Sequence, residues 1–269
     1  MSAILALFNP ITFFMKNKFQ VFLCVILSLV VCSCSEDGDK ETGSMAIEFD
    51  NVVGEEDLTL LTVDEPYTNA ASESYAVTLL RYYISQIRLH HSDGSVFEDA
   101  VNPDGSAGYY LIDESDPESL HVSIENVPVG DYTGISFTVG IDYDALQDGT
   151  LTGALSQDKG MFIDNNAGFF FLKMEGHSAS TDQALRYHVS GYAAPTDNML
   201  TKTVVMEATP AMVRTDKTPK VHLIIDINEF FTSPNDISFA ASPSLVTAEE
   251  TAKIAENYGN TFVFDHVHN

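Results

Sequence analysis

The sequence predicts an all-β fold, an antiparallel β-sandwich with one short helix late in the chain. Three observations lead there. Short apolar or alternating runs, each of strand length, recur from residue 45 to residue 267. The segments between them are built from Gly, Pro, Asp, Asn and Ser, the residues of turns. One stretch, beginning at Thr247, carries a clear helix-start signal. Many short strands joined by polar turns argue for a sandwich or barrel.

The leading segment stands apart from that fold. "MKNKFQVFLCVILSLVVCSC" opens at Met15 with Lys16 and Lys18, continues through an apolar run from Phe19 to Val31, and ends at Cys34. This is the layout of a secretory signal, a charged start followed by an apolar core. The apolar run falls short of the ~20 residues a spanning helix needs. The residues "VCSC" resemble a bacterial lipobox, so cleavage is expected after residue 33 and lipidation at Cys34. Met1 and Met15 both remain candidate starts. Residues 34–44, with the polar, acidic "SEDGDKETGS", read as a tether, and 45–269 as one β domain. These features place the protein on the outer membrane, at the cell surface or the periplasmic face. The membrane partner is then reached through the lipid.

Within the domain the expected strands are, in order, "MAIEFD", "LTLLTV", "YAVTLLRYYISQIRL", "YYLID", "LHVSI", "YTGISFTVGI", "GFFFLKMEG", "LRYHVSGYA", "KTVVMEA", "KVHLIIDI" and "TFVFDHV". In "RYYISQIRL" the apolar residues separate a period of 2 from 3.6 poorly, which leaves a helix open there. The sequence "TAEE" forms a capping box from Thr247 to Glu250, and Gly259 follows Tyr258, so a helix is expected over 248–258. His266 and His268 share parity with Phe262 and Phe264, which predicts that all four lie on one face of the last strand.

Charge excludes one class of partner. Residues 1–33 hold two lysines and no acid, so the remainder has 11 basic and 39 acidic residues and a formal charge of −28. Such a surface repels nucleic acid and lacks the basic patch that binding needs. Its main effect is a solvated acidic exterior. The three acids of "IDYDALQDGT", Asp142, Asp144 and Asp148, lack the Gly and Glu positions of an EF-hand loop and read as an acidic turn. The chain has no G-x-S-x-G, P-loop or H-E-x-x-H pattern and no Cys/His nucleophile arrangement, and it is not expected to be an enzyme.

Histidines carry the chemistry that remains. Alternating His266 and His268 would emerge side by side from a strand, half of a transition-metal site. His188 of "LRYHVSGY" lies on an expected strand and is proposed as the third imidazole. His222 of "KVHLIIDI" shares a face with Ile224 and Asp226; a structural role is favoured there, and it is kept as a further metal candidate. His90 and His91 are sequential, point to opposite faces, and are expected to be exposed beside the turn "SDGS". His121 and His177 lack a supporting pattern.

Several motifs in order, "LRYYISQIRL", "VPVGDYTGISFTVGID", "GALSQDKGMFIDNNAGFFFLKMEG", "YHVSGY", "NEFF", "PNDISF" and "IAENYGNTFVFDHVHN", resemble the MbnP-like domain. That family is named for a copper-binding protein encoded with methanobactin genes. The resemblance implies an extracytoplasmic β domain that binds copper through histidines and a kynurenine, an oxidised tryptophan made by a partner dihaem enzyme. The family motif reads roughly M-F-W-x-W-x-x-G-Y. In "MFIDNNAGF", Met161, Phe162 and Gly168 match, Phe169 stands for the tyrosine, and Ile163 and Asn165 take the tryptophan places. The chain contains no tryptophan, so no kynurenine can form and no tryptophan-oxidising partner is expected. His188 matches a family histidine, whereas "YDALQDGTLT" lacks another that relatives often carry. Two readings stand. One is a lipid-anchored protein that handles copper, or zinc, through imidazoles alone. The other is a surface interaction module whose metal site has decayed.

The first prediction concerns the anchor. Cys34→Ala should abolish incorporation of a palmitate analogue, and labelling that persists would remove Cys34 as the lipidated residue.

Overall fold

A computed structural model describes residues 41–142, 151–193 and 195–269. Cys34, the leader, most of the tether, Asp144 and Asp148 lie outside the described residues. Among the described residues, ten strands have five residues or more. They are β1 (Thr42–Val53), β2 (Ser74–His91), β3 (Tyr109–Asp113), β4 (His121–Pro128), β5 (Gly130–Val139), β6 (Leu172–His177), β7 (Leu185–Val189), β8 (Leu200–Val205), β9 (Lys220–Asp226) and β10 (Phe262–His268). The one α-helix among the described residues, α1, spans Ala248–Thr261.

The strands form two main sheets. In the smaller, β10 pairs with β9 and β9 with β1; the other edge of β1 carries β4 and the short strand Glu56–Asp57. In the larger, the order runs β8, β5, β2, β6, β7 and the short strand Ser244–Leu245, with β3 also on β2. Most pairs are antiparallel, as expected, but β1 and β9 run parallel, from Ala46 opposite Lys220 to Val52 opposite Asp226. The sandwich is therefore mixed. The first strand starts at Thr42, so the last three residues read as tether already belong to the sheet.

Alternation explains how the sheets face each other. Met45, Ile47 and Phe49 of β1 are buried, as are Val221, Leu223 and Ile225 of β9, while the residues between them are only partly covered. These side chains meet Tyr82, Ile84 and Leu89 of β2 and Ile135, Phe137 and Val139 of β5 in one core. Four rings lock the layers edge to face: Phe49 with Tyr82 at 6.4 Å, Phe49 with Phe137 at 6.1 Å, Tyr82 with Phe262 at 5.9 Å and Phe137 with Phe262 at 5.3 Å. The Tyr82 hydroxyl, buried in that core, donates to Asn51 Oδ1 at 2.9 Å.

The strand expected over "YAVTLLRYYISQIRL" is present, whereas the helix end and "LTLLTV" differ from expectation. "RYYISQIRL" lies within β2, one 18-residue strand. Its period is blurred because both faces are covered: Tyr82 enters the main core, and Tyr83 enters a second cluster with Met161, Phe169 and Phe171. A bulge where Gln86 takes φ 52° then shifts the register. The helix starts at the Thr247–Glu250 capping box but runs through Gly259 to Thr261. Lys202 donates to the Gly259 carbonyl, and the residue after the helix, Phe262, already sits in the core, so Gly259 is not a stop. "LTLLTV" contributes only an isolated bridge at Leu60.

Phe262 joins helix, strand and both sheets and is 1% exposed. Phe262→Ala should lower unfolding stability by about 3–5 kcal/mol, measured as a shift of the urea midpoint.

Candidate metal centre

The smaller sheet has an outer face, and the site is built there by register. Glu48 on β1 stands opposite His222 on β9, and His222 stands opposite His266 on β10. On the other side Glu48 stands opposite His121 on β4. One row of side chains, His266, His222, Glu48 and His121, thus crosses four strands. His268 and Lys220, also paired, occupy the next row.

A bulge decides which way the terminal pair points. Between His222 and Leu223 the register slips, so that His222 faces His266 and Leu223 faces Phe264; Asp265 is the extra residue. One inserted residue reverses the alternation for everything after it. Phe262 and Phe264 pack on the core, and so does Val267. His266 and His268 therefore lie on the opposite face from Phe262 and Phe264. The parity reading, which put all four on one face, is corrected by this bulge.

The imidazoles are in contact. His222 and His266 stack at 4.2 Å with 13° between planes. His268 stands edge-on to both, at 5.1 Å and 4.6 Å. The Nε2 atoms of His266 and His268 are 2.9 Å apart. One ring nitrogen of each of the three lies within 4.8 Å of the others. The site is graded in burial: the His222 side chain is 13% exposed, that of His266 45%.

Carboxylates hold the rings from behind. Asp265 Oδ2 lies 2.7 Å from His266 Nδ1, so with the proton on Nδ1 the Nε2 lone pair is free to ligate. Asp50 Oδ2 lies 3.2 Å from His222 Nδ1, and Glu48 Oε2 lies 3.4 Å from His222 Nε2. The last two atoms are buried without a well-directed hydrogen bond. Glu48 Oε2 is also ion-paired with Lys220 Nζ at 2.9 Å. Burial works to raise the Glu48 pKa, but contact with Lys220 and the charges of His222 and His121 outweigh it and hold the carboxyl below its ordinary value. Glu48, Asp50 and His222 form a second group close enough to share a cation.

His188 is not part of this group. It sits on β7 in the larger sheet, where Nε2 contacts Glu175 Oε1 at 2.8 Å and the ring packs on Phe170 at 5.1 Å. Burial lowers its pKa, against the opposing pull of Glu175. The structure thus brings together His222, His266 and His268 and replaces His188 with His222. The sequence signal for His222 was present in its strand alternation, but its partner strand could not be read. His90 and His91 are half-buried rather than exposed: His90 Nε2 contacts Ser136 Oγ at 2.5 Å, and His91 Nδ1 pairs with Asp93 at 2.9 Å.

The sequence model of the MbnP family matches residues 42–248, well over half of the chain. The chain belongs to the MbnP family. Among solved structures, it is similar to MbnP from Methylosinus trichosporium, with 17% identity, a TM-score of 0.50, and coverage of 74% of this chain and 80% of that one. At that identity the likeness shows the fold. No curated protein sequence matches the chain. His222 falls inside the family match, whereas His266 and His268 lie beyond its end.

The stretch matching the family's tryptophan motif folds elsewhere. Phe162–Asp164 pairs with Gly168–Phe169 as a small hairpin over the second hydrophobic cluster, around Met161 and Phe169. Ile163 and Asn165 offer no indole there, so the residues present do not fit a kynurenine ligand.

Deleting Asp265 should close the bulge and leave His266 opposite His222, because Phe264 stays opposite Leu223. Ring-proton contacts between His222 and His266 should therefore persist in NMR spectra of the deletion variant, and their loss would contradict this register.

Proposed function

We propose that this MbnP-family protein is a lipid-anchored, extracytoplasmic metal-binding protein that takes copper, and zinc as a competitor, through His222, His266 and His268 without a kynurenine. The observation that carries the reading is the convergence of three imidazole nitrogens within 4.8 Å on one face. Neutral imidazole suits both metals, and three protein ligands leave a position open for water or an exogenous ligand. The anchor at Cys34, the outer-membrane location and a role in binding rather than catalysis belong to the same proposal. They are supported by the lipobox-like "VCSC" and the acidic segment behind it.

The chain's own residues supply three things. Asp265 and Asp50 orient His266 and His222 from Nδ1. The bulge aims the terminal pair at His222. The acidic surface raises the local cation concentration, within the roughly 8–10 Å that physiological salt allows.

Titration of the purified protein with copper and zinc salts tests this. The double variant His266→Ala/His268→Ala and the single variant His222→Ala should each lose at least about 100-fold in affinity, and His188→Ala should lose little. Wild-type affinity should also fall between pH 7.5 and 5, because an imidazolium cannot ligate. Unchanged affinity in the double variant would make the terminal histidines packing residues and end the proposal.

A further inference from the structure

We propose that the outer edge of β3 is a docking site for an extended, positively charged polypeptide segment, which adds to the larger sheet as a further strand beside Leu111. None of this depends on the imidazole cluster.

The main chain of β3 is open on one side. Its ladder partner is β2 alone, from Tyr109 opposite Ser85 to Asp113 opposite Arg81. Tyr83 of β2 turns both of its main-chain groups the other way: its N–H donates to the Phe171 carbonyl at 2.9 Å, and its carbonyl accepts from the Gly140 N–H at 3.1 Å. Leu111, opposite Tyr83, therefore belongs to a non-hydrogen-bonded pair of the antiparallel ladder, and its N–H and C=O point away from β2. The same alternation turns the groups of Asp113 outward, where they are capped. The Asp113 N–H donates to Ser119 Oγ at 2.8 Å, and the Asp113 carbonyl accepts from the Asp116 N–H at 2.8 Å. Leu111 has no such cap among the described residues. A donor and an acceptor side by side on a strand edge are what an incoming strand pairs with.

There is room for one. The edge opens into a cleft of about 510 Å³, with Leu111 on one wall, Val122 at the start of β4 on another and Ala154 beside them. That volume lies within the roughly 300–1,000 Å³ of ligand clefts.

Charge selects the occupant. Arg81 and Asp113, both in the cleft, pair at 2.8 Å and cancel. The ionised groups that remain on its walls are Asp116 and Asp158 against Lys159, all three exposed. Asp116 receives the Glu118 N–H on Oδ1 alone, at 3.3 Å, which leaves Oδ2 for a cation. The lining is thus net negative, on a chain that carries −28 after the leader. Such a site attracts a basic segment and repels an acidic one. Alternate side chains of an added strand share a face, so a segment of alternating basic and apolar residues can set its apolar row on Leu111 and Val122 and its basic row toward the acids.

The test titrates the full mature protein into a fluorescent peptide of alternating lysine and valine, read by polarisation. Two control peptides are the same sequence N-methylated at every internal amide, which cannot pair as a strand, and one with glutamate in place of lysine. Two protein variants are Leu111→Pro and Asp116→Asn/Asp158→Asn. Proline is tolerated on an edge strand where its nitrogen faces outward, so Leu111→Pro keeps the internal ladder, and a thermal melt checks the fold. N-methylation and Leu111→Pro should each weaken binding by about 10-fold or more, the loss of two main-chain hydrogen bonds. The paired Asn variant should weaken it by about 5-fold, and the glutamate peptide should not bind. Bound peptide should also slow hydrogen exchange of the Leu111 amide in the wild type by about 10-fold or more. This readout, with the methylated peptide, decides the matter even where Leu111→Pro fails to fold. A methylated peptide that binds as tightly as its parent, or an unprotected Leu111 amide in the complex, would reduce the effect to general attraction by the acidic surface and overturn the proposal. Absence of binding by the parent peptide would overturn it as well.

Discussion

The parallel pairing of β1 with β9 is the constraint on which the molecule depends. It joins residues as far apart in the chain as Asp50 and His222, 172 positions, at hydrogen-bonding distance. Parallel neighbours cannot be joined by a tight turn, so the chain between them must make a long excursion. Here the excursion includes most of the larger sheet, β2, β3 and β5 to β8, which returns to cover the inner face of β1 and β9. Burial of Phe49, Val221 and Leu223 against Tyr82 and Phe137 fixes that return. The outer face of the same two strands is then presented to solvent with its side chains already aligned across the sheet.

Chemistry enters at the edge of that arrangement. The helix α1 ends directly at Phe262, whose ring sits between Tyr82 and Phe137, so the last strand is held at its start. The Asp265 bulge then turns the strand over. Without it, the imidazoles would follow Phe262 and Phe264 into an apolar layer, where their ring nitrogens would need partners at a cost of a few kcal/mol. With it, they stand over His222. Asp265 serves twice, as the extra backbone residue and as the acid on His266 Nδ1. A fold shared with the MbnP family thus carries a cluster of imidazoles on one sheet, while the hairpin matching the family's tryptophan motif lies over an apolar cluster that its larger sheet also supplies.

The electrostatics of the patch are balanced rather than simply acidic. Glu48 contacts Lys220 and His222 and lies 3.7 Å from His121, so one carboxylate is shared by three basic side chains from two neighbouring strands. This cross-strand pairing of unlike groups favours the register. It also fixes His222 through Asp50 on Nδ1, while Nε2 faces Glu48 Oε2 at 3.4 Å without a hydrogen bond and stays the nitrogen for an ion. A ring so held loses little further freedom on meeting an ion, which is how outer carboxylates support a ligand.

By itself the sequence determined the all-β class, the position and cap of the single helix, the family, and the incompatibility with a kynurenine. Each of these is local or compositional: alternation within a run, Thr247 three residues before Glu250, an ordered set of motifs, the absence of tryptophan. It also singled out His266 and His268 by spacing. The tertiary structure alone decided that β1 and β9 run parallel, that "RYYISQIRL" is strand, that Gly259 lies within the helix, and that His222 rather than His188 completes the cluster. The physical reason is the same in each case. Which strands become neighbours, and where a register slips by one residue, depends on contacts between distant segments. Alternation within one strand says only which residues share a face, and a bulge reverses even that.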